Sequence, residues 1–206
     1  MIRQRYRCAD HQRVRYTKLV RFAGLCGVLG AVLPQIMIFA ATILSPWFRW
    51  DTNALSELGV GEESTLFNSA VLLGGILSSL FALGLWQYLK DARLVRIGVA
   101  IIVLSNVFLA LVGVFTINYH VMHAIVSFGF FVLAPLGFLL IGFETKENAI
   151  KRVSIVCGIS ALLAILVLPL IVFVLQFKVG FAVPEMIEAL IISFWILFMA
   201  AKLVKQ

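Results

Sequence analysis

The chain has 206 residues, of which 62% are hydrophobic and 13% are charged, and its formal net charge is +7. A soluble protein of this size cannot bury so much apolar surface, because much of a small chain lies at its surface. The same composition excludes a disordered chain, and three cysteines are too few for a disulfide scaffold. It predicts an all-α fold that crosses a membrane several times.

Stretches without Asp, Glu, Lys or Arg predict six transmembrane helices, because a bilayer core requires roughly 20 apolar residues per helix. The stretch at residues 97–143 is long enough for two helices, and its most polar part, residues 116–119, is the predicted turn between them. The sixth span differs from the others in carrying Glu185 and Glu188 near its start. In chain order, the predicted spans are residues 22–48, 64–89, the two halves of 97–143, 153–177 and 183–201.

The basic residues lie mainly on one side of these spans. Fifteen of the 17 Lys and Arg residues fall in the N-terminal segment, the second and fourth connections and the C-terminal tail, and only Arg49 and Lys178 fall on the other side. Because Lys and Arg accumulate in cytoplasmic loops, this predicts a multi-pass protein of the cell membrane with both termini cytoplasmic. Residues 1–20 are the predicted basic cytoplasmic segment, and residues 21–206 the six-helix transmembrane domain. Membrane lipid is then the predicted partner and nucleic acid is not, while no pattern indicates an oligomeric state.

The first loop on the predicted outer side combines polar residues with large apolar ones. Its large apolar residues are Trp47, Phe48, Trp50, Leu55 and Leu58. A loop of this composition is predicted to pack on the helix ends rather than to be solvated. Thr52 or Asn53 is the predicted cap of a short helix in this loop, which ends at Gly59 or Gly61.

Polar residues from several segments meet on the predicted outer side and form a candidate binding site. Glu188 lies about one turn inside the membrane, where a lone carboxylate is costly unless it is paired or hydrated. A partner is therefore expected, and the available ones are His120, His123 and Arg49. The candidate binding residues are Asp51, Asn53, Ser56, Glu57, Asn68, Glu185 and Glu188.

Three interpretations of these residues remain open. In the first, they are helix caps and hydrogen-bonding groups at the membrane surface. In the second, they form a metal site, because His120 and His123 share a helix face and, with Glu188, match the ligands of a hydrolytic zinc centre. In the third, they form a polar pocket for a lipid headgroup, a small solute or an ion. Binding of a lipid headgroup or a small solute is the favoured function. The alternative function is a metal-dependent intramembrane hydrolase that acts on a lipid at the outer leaflet.

A sequence pattern in the first loop has counterparts in a known family. Residues 50–59 read Trp-x-x-Asn-x-Leu-Ser-acidic-Leu-Gly, and residues 66–68, Leu-Phe-Asn, then enter a helix that carries Gly74 and Gly75. A Gly-x-x-x-Pro-Glu element follows at residues 180–185. Through these elements, the chain resembles the archaeal and bacterial multi-pass proteins grouped as domain-of-unknown-function family 998. The resemblance covers nearly the whole chain and implies a six-helix membrane protein, but it implies no reaction and no catalytic residue.

Overall fold

The computed structural model describes residues 2–89, 93–167, 170 and 180–206, with side chains from residue 16 onward. These residues form helices joined by short connections and contain no β-strand. The helices are α1 (Ile2–Leu44), α2 (Ser64–Tyr88), α3 (Arg93–Val112), α4 (His120–Glu144), α5 (Asn148–Leu162) and α6 (Ala182–Val204). Two 3-10 helices, Leu55–Gly59 and Ile117–Tyr119, lie in the loops, and a π-helical turn, Leu163–Val167, continues α5.

Six helices within the described residues are long and apolar enough to cross a membrane, which confirms the predicted all-α, multi-pass architecture. The predicted turn within residues 97–143 is confirmed, because a short 3-10 helix separates α3 from α4 there. The first helix ends at Leu44 rather than at Phe48, since Pro46 disfavours a helical backbone at the residue before it. Most of residues 168–177, in the predicted fifth span, lie outside the described part of the chain.

The six described helices form a closed ring. Each packs against the next along the chain, and α6 packs against α1. Close contact depends on small residues: a Cβ atom on Gly75 of α2 would lie 2.5 Å from the backbone nitrogen of Ala110 and from the carbonyl oxygen of Asn106 on α3. Such contact is typical of helices in lipid, where close packing rather than hydrophobicity drives association.

Two clusters of buried residues fill the ring at different positions along its axis. One lies at the end of the ring that carries residues 45–63, the first loop, and includes Phe48 and Phe67. The other surrounds Trp195, whose ring stacks on Phe138 with a centroid distance of 4.1 Å. The second cluster closes the centre of the ring away from the first loop.

The described helix ends and connections fall into two groups, one at each end of the ring. The first loop contacts both the connection before α4 and the start of α6, so these segments share one end, the first-loop end. At the opposite end, the Glu144 carboxylate accepts a hydrogen bond from the Leu94 N–H at 2.6 Å, and Lys202 pairs with Glu147. All of the candidate site residues therefore lie at or near the first-loop end.

Candidate functional site

The first loop is folded around its 3-10 helix, Leu55–Gly59. The Glu57 carboxylate stabilises the start of this helix, because it accepts the Ala54 N–H at 2.8 Å and the Asn53 side-chain amide at 2.6 Å. The predicted end at Gly59 is confirmed, but the predicted cap, Thr52 or Asn53, is wrong. Ala54 precedes the helix, and the glutamate three residues later supplies the side-chain acceptor.

Three contacts hold the first loop against the start of α6. The Asn53 carbonyl oxygen accepts the Ala182 N–H at 3.0 Å, and the Glu185 carboxylate accepts the Leu55 N–H at 2.7 Å. Gly180 lies so close to the Asn53 backbone that a Cβ atom there would collide with it. Leu55 is itself buried, which confirms that the loop packs on the helix ends.

The other candidate residues at the first-loop end lie in different local environments. Asp51 is exposed and pairs with Arg49 at 2.8 Å, and the hydrogen bond from the Arg49 guanidinium lowers the pKa of the Asp51 carboxyl. The Asn68 side-chain amide donates to the Gly59 carbonyl oxygen at 3.0 Å. Ser56 is the member of this group that lines a cavity inside the ring.

The predicted metal ligands are not brought together. His120 is exposed, whereas His123 is buried and its Nδ1 donates to the Phe115 carbonyl oxygen at 2.7 Å. The Ser127 hydroxyl lies 3.3 Å from the other ring nitrogen, so both nitrogens of His123 are engaged. Within the described residues, no group of three or more His, Cys, Asp and Glu could hold a metal ion. The zinc ligand set of His120, His123 and Glu188 is therefore not assembled in this part of the chain.

Glu188 is fully buried on α6. The expected pairing with a histidine or with Arg49 is not formed, because neither oxygen of the Glu188 carboxyl has a hydrogen-bond partner among the described residues. Glu188 shares one face of α6 with Glu185, three residues before it, and with Ile192, four residues after it, and both of these residues line the cavity. The structure thus associates Glu188 with the inside of the ring and not with the histidines.

A cavity of about 80 Å³ lies inside the ring, between the two buried clusters and beneath the first loop. Described residues of α1, α2, α3, α4 and α6 line it, together with Leu55 and Ser56 of the first loop. Along α6 it extends from Glu185 to Ile196, which corresponds to ~16 Å of helix. The lining is mostly apolar, and its uncharged polar members within the membrane-spanning helices are Gln35, Ser78, Asn106, Ser127 and Ser193.

None of these five polar residues is among the site residues predicted from the sequence. The signal that could have identified them is that each is an uncharged polar residue inside an otherwise apolar span. Polar side chains in such positions usually face the interior of a helix bundle. The predicted site residues instead lie in the loops and near the helix ends of one side of the membrane.

Two of the lining residues have unused hydrogen-bonding capacity. The side-chain nitrogen of Gln35 donates to the Ser193 hydroxyl at 3.0 Å and to the Ala189 carbonyl oxygen at 3.4 Å, while Gln35 Oε1 has no partner among the described residues. Only 3% of Asn106 is exposed, and its side-chain nitrogen likewise has no partner in the described part of the chain. Since buried polar groups are nearly always hydrogen-bonded, the cavity is suited to a ligand that supplies the missing partners.

A family model described as a protein of unknown function, DUF998, matches residues 28–202. The matched region includes every residue that lines the cavity and every candidate site residue. No curated protein and no solved structure matches the chain.

Proposed function

Because the chain belongs to the DUF998 family of proteins of unknown function, we propose a function from the cavity itself. The proposed function is the binding of a small polar group inside the helix ring, either the headgroup of a membrane lipid or a small solute. The first loop covers the bound group. If the ligand is a lipid, its acyl chains remain outside the cavity, because about 80 Å³ accommodates only a small group.

The observation that carries this proposal is the side-chain nitrogen of Asn106, a cavity-lining residue, which has no hydrogen-bond partner among the described residues. A buried donor without a partner costs about 1–3 kcal/mol, so a membrane protein does not gain stability by keeping one. Leucine at this position would have a similar shape and no unpaired group. The presence of an amide is therefore better explained by a ligand than by packing.

We expect Asn106→Leu to lose the bound ligand while the protein remains folded. The change removes the unpaired donor and keeps the shape of the side chain, so the stability should be equal or higher. The measurement is native mass spectrometry of the purified protein, which detects retained lipids and small molecules, together with thermal unfolding in the same detergent. Val107→Leu, on an exposed position of the same helix, is the matched control and should retain the ligand.

A second pair of variants tests the volume of the cavity rather than its polarity. Ala189→Phe fills the cavity, whereas Leu190→Phe changes an exposed position one residue further along α6. The ligand should be lost from the first variant and retained by the second. Equal retention by Asn106→Leu, Ala189→Phe and the two controls would show that the proposal is wrong.

We further propose that the first-loop end lies outside the cell membrane and that both termini are cytoplasmic. Among the described residues with side chains, Arg49 lies at the first-loop end, whereas Arg93, Lys146 and Lys202 lie at or near the opposite end. Membrane proteins retain such basic ends on the cytoplasmic side. Lys178, the other basic residue predicted outside, is not among the described residues. On this proposal, residues 1–20 lie on the cytoplasmic side.

This orientation predicts the labelling of two exposed positions in intact cells. A cysteine replacing Thr65 should react with a membrane-impermeant maleimide, and one replacing Asn148 should react only after the membrane is permeabilised. The background protein carries Cys8→Ser, while Cys26 and Cys157 are buried. The reverse pattern would place the first loop and the start of α6 in the cytoplasm.

The hydrolase alternative receives no support from the geometry. A hydrolytic zinc centre requires three protein ligands around one ion, and the described residues contain no such group. We therefore propose binding rather than metal-dependent hydrolysis.

A further inference from the structure

We propose that the polar group bound in the cavity is a primary ammonium group, held by acceptor atoms of α1 and α6. This inference rests on the proposed function and names the chemical class of the ligand. It depends on which ionisable residues surround the cavity, on whether the atoms without hydrogen-bond partners are donors or acceptors, and on the volume of the cavity.

The ionisable groups in and beside the cavity are carboxyl groups. Of the described residues that line it, Glu185 is the only ionisable one. Glu188, one turn further along α6, is buried on the same helix face. Because charges interact strongly in a medium of low dielectric constant, these carboxyl groups disfavour an anionic ligand and favour a cationic one.

The unpaired atoms on α1 and α6 are acceptors. Both Glu188 oxygens and Gln35 Oε1 are buried without a hydrogen-bond partner in the described part of the chain. The orientation of the Gln35 amide is fixed, because its nitrogen donates to the Ala189 carbonyl oxygen, which can only accept. The same amide bonds to Ser193, so Gln35 lies directly against α6, the helix that carries both glutamates. A ligand with several donors would satisfy these atoms.

A primary ammonium group meets these requirements. It carries three N–H donors and a positive charge, whereas a hydroxyl group offers one donor and a quaternary ammonium none. A cavity of about 80 Å³ exceeds the ~10–15 Å³ that one water molecule needs, so it can hold an aminoethyl group. Asn106 Nδ2, a buried donor of the lining without a partner among the described residues, is available to an oxygen atom of the same ligand. The ammonium group can belong to an aminophospholipid or to a free small amine.

The test compares three small probes of nearly equal shape. Ethanolammonium, ethylene glycol and glycolate are cationic, neutral and anionic, and they are titrated by saturation-transfer NMR onto the full chain in phosphatidylcholine nanodiscs. Ethanolammonium should bind saturably and at least about tenfold more tightly than ethylene glycol, and glycolate should not bind. Equal or tighter binding of glycolate would overturn the inference.

Two glutamine variants test the role of Glu188. Glu188→Gln should weaken ethanolammonium binding about tenfold, because it removes the carboxyl group beside the cavity that can take a negative charge when the cation binds. Glu62→Gln removes a carboxyl group from an exposed position of the first loop and should leave binding unchanged. Unchanged binding by Glu188→Gln would contradict the inference. If this variant does not fold, the comparison of the three probes on the unaltered protein decides alone.

A lipid competition identifies the source of the ammonium group. Nanodiscs that contain equal amounts of phosphatidylethanolamine, phosphatidylcholine and phosphatidylglycerol are disrupted gently, and the retained lipid is measured by native mass spectrometry. Enrichment of phosphatidylethanolamine indicates a lipid headgroup, and ethanolammonium binding without that enrichment indicates a free amine. Enrichment of phosphatidylglycerol would contradict the inference. Should Asn106→Leu release the ligand while glycolate binds better than ethanolammonium, the ligand class is wrong and the binding function stands.

Discussion

Replacing Trp195 with alanine is expected to lower the free energy of unfolding by about 3–5 kcal/mol. Trp195 is fully buried, its ring stacks on Phe138, and its edge contacts Phe81 at a centroid distance of 6.4 Å. The indole N–H also donates to the Ser154 hydroxyl at 2.9 Å. Alanine would leave a large void at the centre of the ring and a buried hydroxyl without its donor, and neither can be compensated by lipid.

Trp86→Ala provides the matched control for this prediction. Trp86 is 41% exposed on α2, and its main polar contact is with Arg96, whose guanidinium carbon lies 5.9 Å from the ring centroid. Such an exposed cation–π contact contributes about 0.5–1 kcal/mol, so the loss of stability should be much smaller. Both variants are compared by thermal unfolding of the purified protein in one detergent. Equal shifts of Tm would show that Trp195 does not hold the centre of the ring together.

Gly180→Ala is expected to detach the first loop from α6. The added methyl group would collide with the backbone of Asn53, whose carbonyl oxygen also accepts the Ala182 N–H. Because the obstacle is backbone, relief requires the loop or the start of the helix to move, at a cost of about 1–3 kcal/mol. The amide hydrogens of residues 53–59 should then exchange about tenfold faster, as measured by mass spectrometry of the protein in nanodiscs.

Gly61→Ala is the control for the loop prediction. A methyl group on Gly61 would meet the indole of Trp47, an exposed side chain that can rotate away. Hydrogen exchange of residues 53–59 should therefore change little in this variant. If Gly180→Ala also leaves exchange unchanged, the loop is held by contacts other than those at the start of α6.

The sequence predicted the features that depend on one segment at a time. The length of the charge-free stretches gave the six helices, and the apolar residues of the first loop correctly indicated that it is packed. The pairing of Glu188 was not predictable in the same way. Spacing within α6 defines which face Glu188 occupies, but the order of helices around the ring decides which residues face it. His123 instead bonds to Phe115, eight residues before it, and is not available to α6.

The cavity was the least predictable part of the candidate site. It is a property of five helices together, and each contributes only one or two polar residues. The contact between Gln35 and Ser193 joins the first and last helices, so no local pattern indicates it. Because a single polar residue in a span also occurs as an ordinary packing contact, its meaning depends on the neighbouring helices.

Closure of the ring by α6 has a consequence for biosynthesis. The hydrogen bonds of Gln35 with Ala189 and Ser193 span 154 and 158 residues. Helix α1 can therefore pack against α6 only after the rest of the chain has been translated. During that interval, a polar side chain of the first helix faces lipid or an insertion factor instead of the ring. The Gln35 side chain thus distinguishes the incompletely assembled protein, and it obtains its partners only when α6 enters the bilayer. In a ribosome-stalled chain that ends before residue 182, Gln35 still lacks its partners on α6.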